Sequence, residues 1–124
     1  MGYYSDVALR VQPKPNTNID VKEYFENAIK ARLSPDAAEW IIQHVHYEGH
    51  PDNCYTTIVL YGVKWYSDFE ERRAFEDWCD ELYNNEDIEG FQYCVMGEED
   101  GDYFEIFEGN LEHYITVRRE LDLD

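Results

Sequence analysis

The sequence predicts an α+β fold, a two-layer sandwich in which helices cover one face of a mostly antiparallel sheet. Segments in which apolar residues alternate predict five strands, and segments with apolar residues three and four apart predict three helices. Their order along the chain is β-α-α-β-α-β-β-β, and a ferredoxin-like core is one arrangement of these elements. The 124 residues are expected to form a single domain, 1–124, because a chain of this length buries one core.

The first strand is predicted over Tyr3–Val11 and should end at Pro13, which cannot donate to a sheet. Asp20, with Glu23 three residues later, is a typical helix N-cap. The buried stripe of that helix is expected to comprise Val21, Tyr24, Phe25, Ala28, Ile29 and Leu33.

Ser34 and Pro35 predict the start of a second helix, because serine caps helices and proline is favoured at their first position. Its apolar residues are Ala37, Ala38, Ile41, Ile42 and Val45. Gly49 and Pro51 interrupt the pattern, so His44–Asn53 is interpreted as a surface loop.

Cys54–Tyr66 is the longest β-branched run and predicts a central strand. Its alternation places Tyr55, Thr57, Val59, Tyr61, Val63 and Trp65 opposite Ile58 and Leu60. Ser67 and Glu70 then form a capping-box pattern, which predicts a helix start at Ser67. The apolar face of this helix should comprise Phe75, Trp78, Cys79 and Leu82.

Gly90–Gly97 and Tyr103–Gly109 predict an aromatic-rich hairpin joined by the acidic turn 98–102, which contains an Asp-Gly turn signal. A last strand is predicted over His113–Arg119, and residues 121–124 are expected to fray.

The charge is strongly negative and unevenly placed. The net charge is −18, yet residues 1–66 contain eight acidic and six basic residues, whereas residues 67–124 contain 20 acidic and four basic ones. Such asymmetry is typical of an interaction surface, and it disfavours direct binding to nucleic acid or anionic membranes. The expected partner is therefore basic. The candidate partner-binding residues are Glu70, Asp77, Asp80, Glu81, Glu98, Glu99, Asp100, Asp102, Glu105 and Glu108.

The sharpest hypothesis from this charge is nucleic-acid mimicry. One DNA strand carries a charge per about 3.4 Å of axis, whereas carboxylates four residues apart on a helix, such as Asp77 and Glu81, are separated by about 6 Å. The helix supplies about half the required density, so the hairpin would have to supply the rest. The alternative is that these acids form a solvated face that only maintains solubility.

A second hypothesis is an interaction module that binds through aromatic surface, with Tyr3, Tyr4, Tyr47, Tyr55 and Tyr61 as candidates. Salt distinguishes the two, because an electrostatic interface weakens with ionic strength and an aromatic one does not. An exposed strand edge would also allow a homodimer.

The sequence predicts neither catalysis nor a metal site. His44, His46, His50 and Cys54 are the nearest approach to a metal site, but their spacing matches no closed zinc motif. No activated nucleophile is indicated, and the carboxylates lie in turns and on solvated faces, so a metal-dependent hydrolase is the least favoured alternative. We expect no catalytic residues and no cofactor. Cys54, Cys79 and Cys94 are interpreted as reduced thiols of a cytoplasmic protein, since the sequence shows no signal peptide or long apolar run.

The opening Met1-Gly2-Tyr3-Tyr4-Ser5, the acidic segment Gly97–Asp100 and the late Val117-Arg118-Arg119 carry a family resemblance. With these motifs the chain resembles small tailed-bacteriophage proteins that begin MGYYS. The resemblance implies a phage origin and an accessory role directed at the infected host cell, such as anti-defence or anti-CRISPR inhibition. It implies no catalytic residues.

Overall fold

A computed structural model describes residues 4–49, 55–66, 68–97, 103–111, 114–117 and 121–122. The elements in this part of the chain are β1 (Tyr4–Pro13), α1 (Val21–Arg32), α2 (Pro35–His44), β2 (His46–Glu48), β3 (Thr56–Lys64), α3 (Glu70–Tyr83), β4 (Ile88–Gly97), β5 (Tyr103–Gly109), β6 (Thr116–Val117) and β7 (Leu121–Asp122).

Strands β1 to β5 form an open antiparallel sheet in the order β2-β3-β1-β4-β5. The three helices of the described residues pack on one face of this sheet, as the sequence predicts for an α+β sandwich. The central strand is β1, which pairs with β3 on one side and with β4 on the other. The strand predicted to be central, within Cys54–Tyr66, is β3, an interior strand between β2 and β1. Because β1 is central, its residues Val7, Leu9 and Val11 are fully buried beneath the helices.

Strand β2 corrects the interpretation of His44–Asn53 as a loop. His46, Tyr47 and Glu48 pair with β3, and residues 50–53 lie outside the described residues. Tyr47 fixes β2 to α1, since its ring packs against Phe25 with centroids 6.3 Å apart and its Oη donates to Glu26 Oε2 at 2.9 Å.

Strand β2 could not be predicted from the sequence, because its three residues are too few to show the alternation of apolar and polar residues that is typical of a strand. Counting β2, the elements from β1 to β4 follow the order β-α-α-β-β-α-β, which is the order of a ferredoxin-like core with one additional helix.

The first two helix starts agree with the predicted caps. Asp20 Oδ1 accepts from the Glu23 N–H at 3.2 Å, and Ser34 Oγ accepts from the Ala37 N–H at 3.3 Å. The predicted start of α3 is wrong. The N-cap is Phe69, which has no acceptor, and Ser67 lies outside the described residues. The Phe69 ring packs edge-on against Tyr66, with ring centroids 5.0 Å apart, at the entry to α3.

The alternation predicted for β3 fails at its end. Ser5 pairs with Val63 and Val7 with Leu60, so β3 contains one more residue than β1 in this interval, a β-bulge. Gly62 has φ +59°, which glycine adopts without the steric cost of a side chain, and its N–H donates to Asp6 Oδ1 at 2.8 Å. The extra residue places Val63 and Trp65 in the same core as Leu60 instead of on the opposite face.

The second face of the sheet is partly covered by the C-terminal segment. Ile115 packs with Ala8, Val59 and Cys94. Gln92, 3% exposed, binds the backbone of this segment twice: its Oε1 accepts from the Ile115 N–H at 2.7 Å, and its Nε2 donates to the Ile115 carbonyl at 3.1 Å. The Gln92 amide thus holds the backbone of this segment against the second face of the sheet.

Of the predicted last strand, His113–Arg119, Thr116 and Val117 form β6, which pairs with β7, whereas His113, Arg118 and Arg119 lie outside the described residues. Leu121 and Asp122, which were expected to fray, belong to β7. Residues 123–124 lie outside the described residues. The hairpin prediction is confirmed, since β4 and β5 pair throughout β5.

Gln92→Ala should lower the free energy of unfolding by about 1–3 kcal/mol, because it leaves the buried backbone groups of Ile115 without their partner. Urea unfolding measures the effect. The matched control is Gln43→Ala, which removes an exposed contact to Glu39 and should change stability by less than about 0.5 kcal/mol. Equal effects of the two variants would contradict the assigned role of Gln92.

Candidate protein-binding surface

Aromatic packing against α1 and Trp65 fixes the orientation of α3. Phe75 packs against Phe25 at 5.2 Å and against Trp65 at 5.0 Å between ring centroids. Trp78 packs against Phe25 at 5.3 Å and against Tyr24 at 5.2 Å. Phe75 and Trp78 are fully buried, so the predicted apolar face of α3 is confirmed. The opposite side of the helix is thereby directed to solvent.

Three predicted binding residues, Glu70, Asp77 and Asp80, are exposed on α3. At positions i, i+7 and i+10 they lie on one side of the helix, over about 15 Å of its axis. We call these three residues the acidic face of α3. No basic residue occupies the last turn of α3, so the negative charge near that end is not compensated within the turn.

Glu81 differs from these three acids because its carboxylate binds α1. It accepts from Tyr24 Oη at 2.5 Å and forms an ion pair with Arg32 Nη2 at 2.8 Å. The Tyr24 hydrogen bond has the largest effect on the pKa of Glu81 and lowers it; burial opposes this, and the Arg32 guanidinium lowers the pKa further, so the pKa lies below its ordinary value. Asn85 Nδ2 donates to Tyr24 Oη at 3.2 Å and extends the network. Glu81 therefore joins α1 to α3.

A second network joins α3 to the sheet. Arg72 pairs with Glu76 at 2.8 Å and donates to the Trp65 carbonyl at 2.9 Å. Tyr93 Oη accepts from Trp65 Nε1 at 2.8 Å and donates to Glu76 at 3.2 Å. Burial, more than any neighbouring charge, raises the pKa of Tyr93. Glu76 is thus a structural acid, and no sequence signal separates it from the exposed acids of α3.

The two acids of β5 lie on opposite faces of the sheet. Glu105 stands opposite Cys94 on the face away from the helices, whereas Glu108 stands opposite Phe91 on the helix side. Both are exposed.

Glu105 is also engaged, since Tyr103 Oη donates to it at 2.6 Å and Gln92 Nε2 at 2.8 Å. Burial and the hydrogen bond to Glu105 raise the pKa of Tyr103. Because Glu105 points away from the helix layer, it does not extend the acidic face of α3. The remaining predicted residues, Glu98, Glu99, Asp100 and Asp102, lie outside the described residues.

His44, the last residue of α2, and His46, the first residue of β2, contact aromatic side chains. His44 Nδ1 lies 2.7 Å from the Trp40 carbonyl, and its ring stacks on Trp40 with centroids 4.6 Å apart. The His46 ring lies 5.8 Å from Tyr61. His50 and Cys54 lie outside the described residues, within which no three His, Cys, Asp or Glu side chains are grouped as metal ligands. Cys79 and Cys94 are buried thiols.

The tyrosines proposed as an aromatic surface separate into two groups. Tyr4 and Tyr61 are 45% and 50% exposed, whereas Tyr47 and Tyr55 are half-buried, the latter beneath the Arg10 guanidinium at 4.2 Å. Tyr3 lies outside the described residues.

Tyr4 and Tyr61 line a groove of about 450 Å³ between the end of α2, the start of α3 and the adjoining ends of β1 and β3. Its lining also includes Trp40, Lys64, Phe69 and Glu71, and we call it the aromatic groove. Trp40, 36% exposed, was not among the predicted residues, because its position in α2 carries no signal of exposure beyond falling outside the apolar stripe.

Comparisons with protein-family models, curated proteins and solved structures found no match to this chain. Within the described residues, no helix has the length and apolar character needed to cross a membrane.

Glu81→Gln should destabilise the protein at pH 7 by about 0.5–1 kcal/mol, because the ion pair with Arg32 is partly exposed. The folded-state pKa of Glu81 is lowered, so its contribution exists above the unfolded value of about 4.3 and is lost as pH falls through the folded value. The difference from the unmodified protein should therefore shrink in acid.

Urea unfolding at neutral pH and near pH 3 measures this difference. Asp77→Asn is the matched control on the same helix, and it should change stability by less than about 0.5 kcal/mol at both pH values. A destabilisation by Glu81→Gln that is undiminished in acid would contradict the charged link between α1 and α3.

Proposed function

We propose that this protein is a non-catalytic inhibitor that binds a basic, nucleic-acid-binding protein of the host or of its defence system, a nuclease or a CRISPR effector. The proposed binding surface is the acidic face of α3, with Glu70, Asp77 and Asp80 as its contact residues. The resemblance to MGYYS phage proteins supports a host-facing role in the cytoplasm of the infected cell.

The observation that carries the proposal is that some acids of α3 bind other parts of the fold while others are exposed to solvent. Glu76 and Glu81 are bound within the fold, whereas Glu70, Asp77 and Asp80 are exposed on one side. Asp80 lies near the C-terminus of the helix, where the macrodipole disfavours a negative charge by about 0.3–1 kcal/mol. Helix stability therefore does not account for Asp80, whereas attraction of a basic partner would.

The spacing of these acids sets the form of the interaction. Three carboxylates over about 15 Å of helix axis supply roughly half the linear charge of a DNA strand. Glu105 of β5 points to the other face of the sheet, so its carboxylate does not add to the charge of the acidic face of α3. The proposal is therefore a compact electrostatic contact that blocks part of a nucleic-acid groove, and not a replica of an extended duplex.

A second candidate is an interaction module that binds through aromatic surface. Edge strand β5 supports it, since Tyr103, Phe104 and Phe107 are each about two-fifths exposed. Salt separates the candidates, because the electrostatic contact should weaken between about 50 and 500 mM salt while an aromatic contact should persist.

Simultaneous substitution of Glu70, Asp77 and Asp80 by Lys should abolish partner capture in a low-salt pull-down from host lysate, with the fold retained by circular dichroism. The captured protein should lose DNA binding when the unmodified chain is added. The loss follows from reversing the charge that meets the basic surface of the partner.

The matched control applies the same change of charge elsewhere, by substituting Lys at the exposed Glu23, Glu86 and Asp87. Glu23 and Asp87 line a separate depression. This control should still capture the partner, with at most a modest weakening from the altered net charge. Equal loss in both variants, or capture by the α3 variant, would refute the assigned surface.

A further inference from the structure

The aromatic groove adjoins the acidic face of α3. Phe69 and Glu71, which flank Glu70 in sequence, line the groove. A partner bound along Glu70, Asp77 and Asp80 would therefore extend over the groove at the start of α3. The volume of about 450 Å³ lies in the range of pockets that hold small ligands or a few side chains.

The backbone of β3 keeps the groove open. Gly62 lies in its lining with φ +59°, and a Cβ built there would meet no atom within 4 Å. The bulge requires a residue of positive φ, which strongly favours glycine, so no side chain fills this position. The open space is a consequence of the bulge and not of poor packing.

Trp40 gives the groove its chemical preference. Its indole is held by stacking on His44 at 4.6 Å and is still 36% exposed. The negative face of an indole attracts cations, and arginine stacks on it more often than lysine does. Glu71 lies in the same lining and provides a carboxylate, which pairs with a guanidinium through two hydrogen bonds. Lys64, also in the lining, opposes a cation.

We propose that the aromatic groove receives an arginine side chain of the basic partner. This inference rests on the proposed function, from which it takes the positive charge of the partner, and it adds the residue that anchors the complex. An arginine stacked on Trp40 and paired with Glu71 matches the aromatic and arginine anchors that dominate the energies of many protein interfaces. The overall charge of −18 favours this occupant over an acidic or neutral segment.

The fluorescence of Trp40 also reports whether the aromatic groove is occupied. Trp65 and Trp78 are 3% and 0% exposed, so quenching of tryptophan fluorescence by acrylamide is dominated by Trp40. The probe is a short peptide of alternating Gly and Arg, and its control replaces each Arg by citrulline, which has nearly the same shape without the charge. The arginine peptide should protect Trp40 from acrylamide, and the citrulline peptide should not.

Variants then test the contacts by calorimetric titration of the arginine peptide. Trp40→Ala should weaken binding by roughly tenfold and Trp40→Phe by less, because a ring remains. Glu71→Gln should weaken it several-fold, and Lys64→Ala should strengthen it, since a like charge is removed. Thermal unfolding of each variant checks that the fold is retained.

The outcomes separate this inference from the function on which it rests. If Trp40→Ala and Glu71→Gln bind the peptide as the unmodified chain does, or if the citrulline peptide binds equally, the groove does not select arginine. Partner capture that is lost in the α3 triple variant but retained in Trp40→Ala would overturn the groove and leave the proposed function in place. Capture that survives the triple variant but fails in Trp40→Ala would overturn the function instead.

Discussion

The packing of Phe75 and Trp78 against Phe25 is the interaction on which the arrangement of this protein depends. It joins α3 to α1 above the central strand, and both residues of α3 are fully buried. Loss of one such ring typically costs about 3–5 kcal/mol, against a total stability of about 5–15 kcal/mol for a small domain. The contact also fixes which side of α3 faces solvent, so the same packing that holds the fold together presents the acidic face.

The acids of this chain perform at least two roles that composition alone does not separate. Glu81 and Glu76 are hydrogen-bonded within the fold and tie α3 to α1 and to the sheet. Glu70, Asp77 and Asp80 are exposed on α3. A net charge of −18 disfavours the compact state through self-repulsion, so the internal pairs with Arg32 and Arg72 offset part of that cost. What remains exposed is available for a partner of opposite charge.

Much of the fold could be predicted because the helix caps and the long apolar patterns are local signals. Asp20 and Ser34 cap their helices as predicted, and the apolar face of α3 is as its spacing indicates. Three features could not be predicted. Strand β2 is too short to show a period, the bulge at Gly62 reverses the alternation of β3, and Gln92 acts only through a segment distant in sequence.

The candidate site was predictable only in part for a related reason. The charge of an acid is visible in the sequence, but its partner is not, so Glu81 and Asp77 look alike until Arg32 and Tyr24 are placed. The sheet register likewise separates Glu105 from Glu108, which are three residues apart and therefore face opposite sides of a strand.

Carboxylate footprinting of the complex with its captured partner shows which acids of this protein the partner covers. Carbodiimide labelling followed by mass spectrometry compares each acid in the free and the bound protein. If α3 binds the partner through its acidic face, Glu70, Asp77 and Asp80 become protected while Glu23, Glu86 and Asp87 stay as reactive as in the free protein. Protection of the second group with continued labelling of the first would contradict that mode of binding.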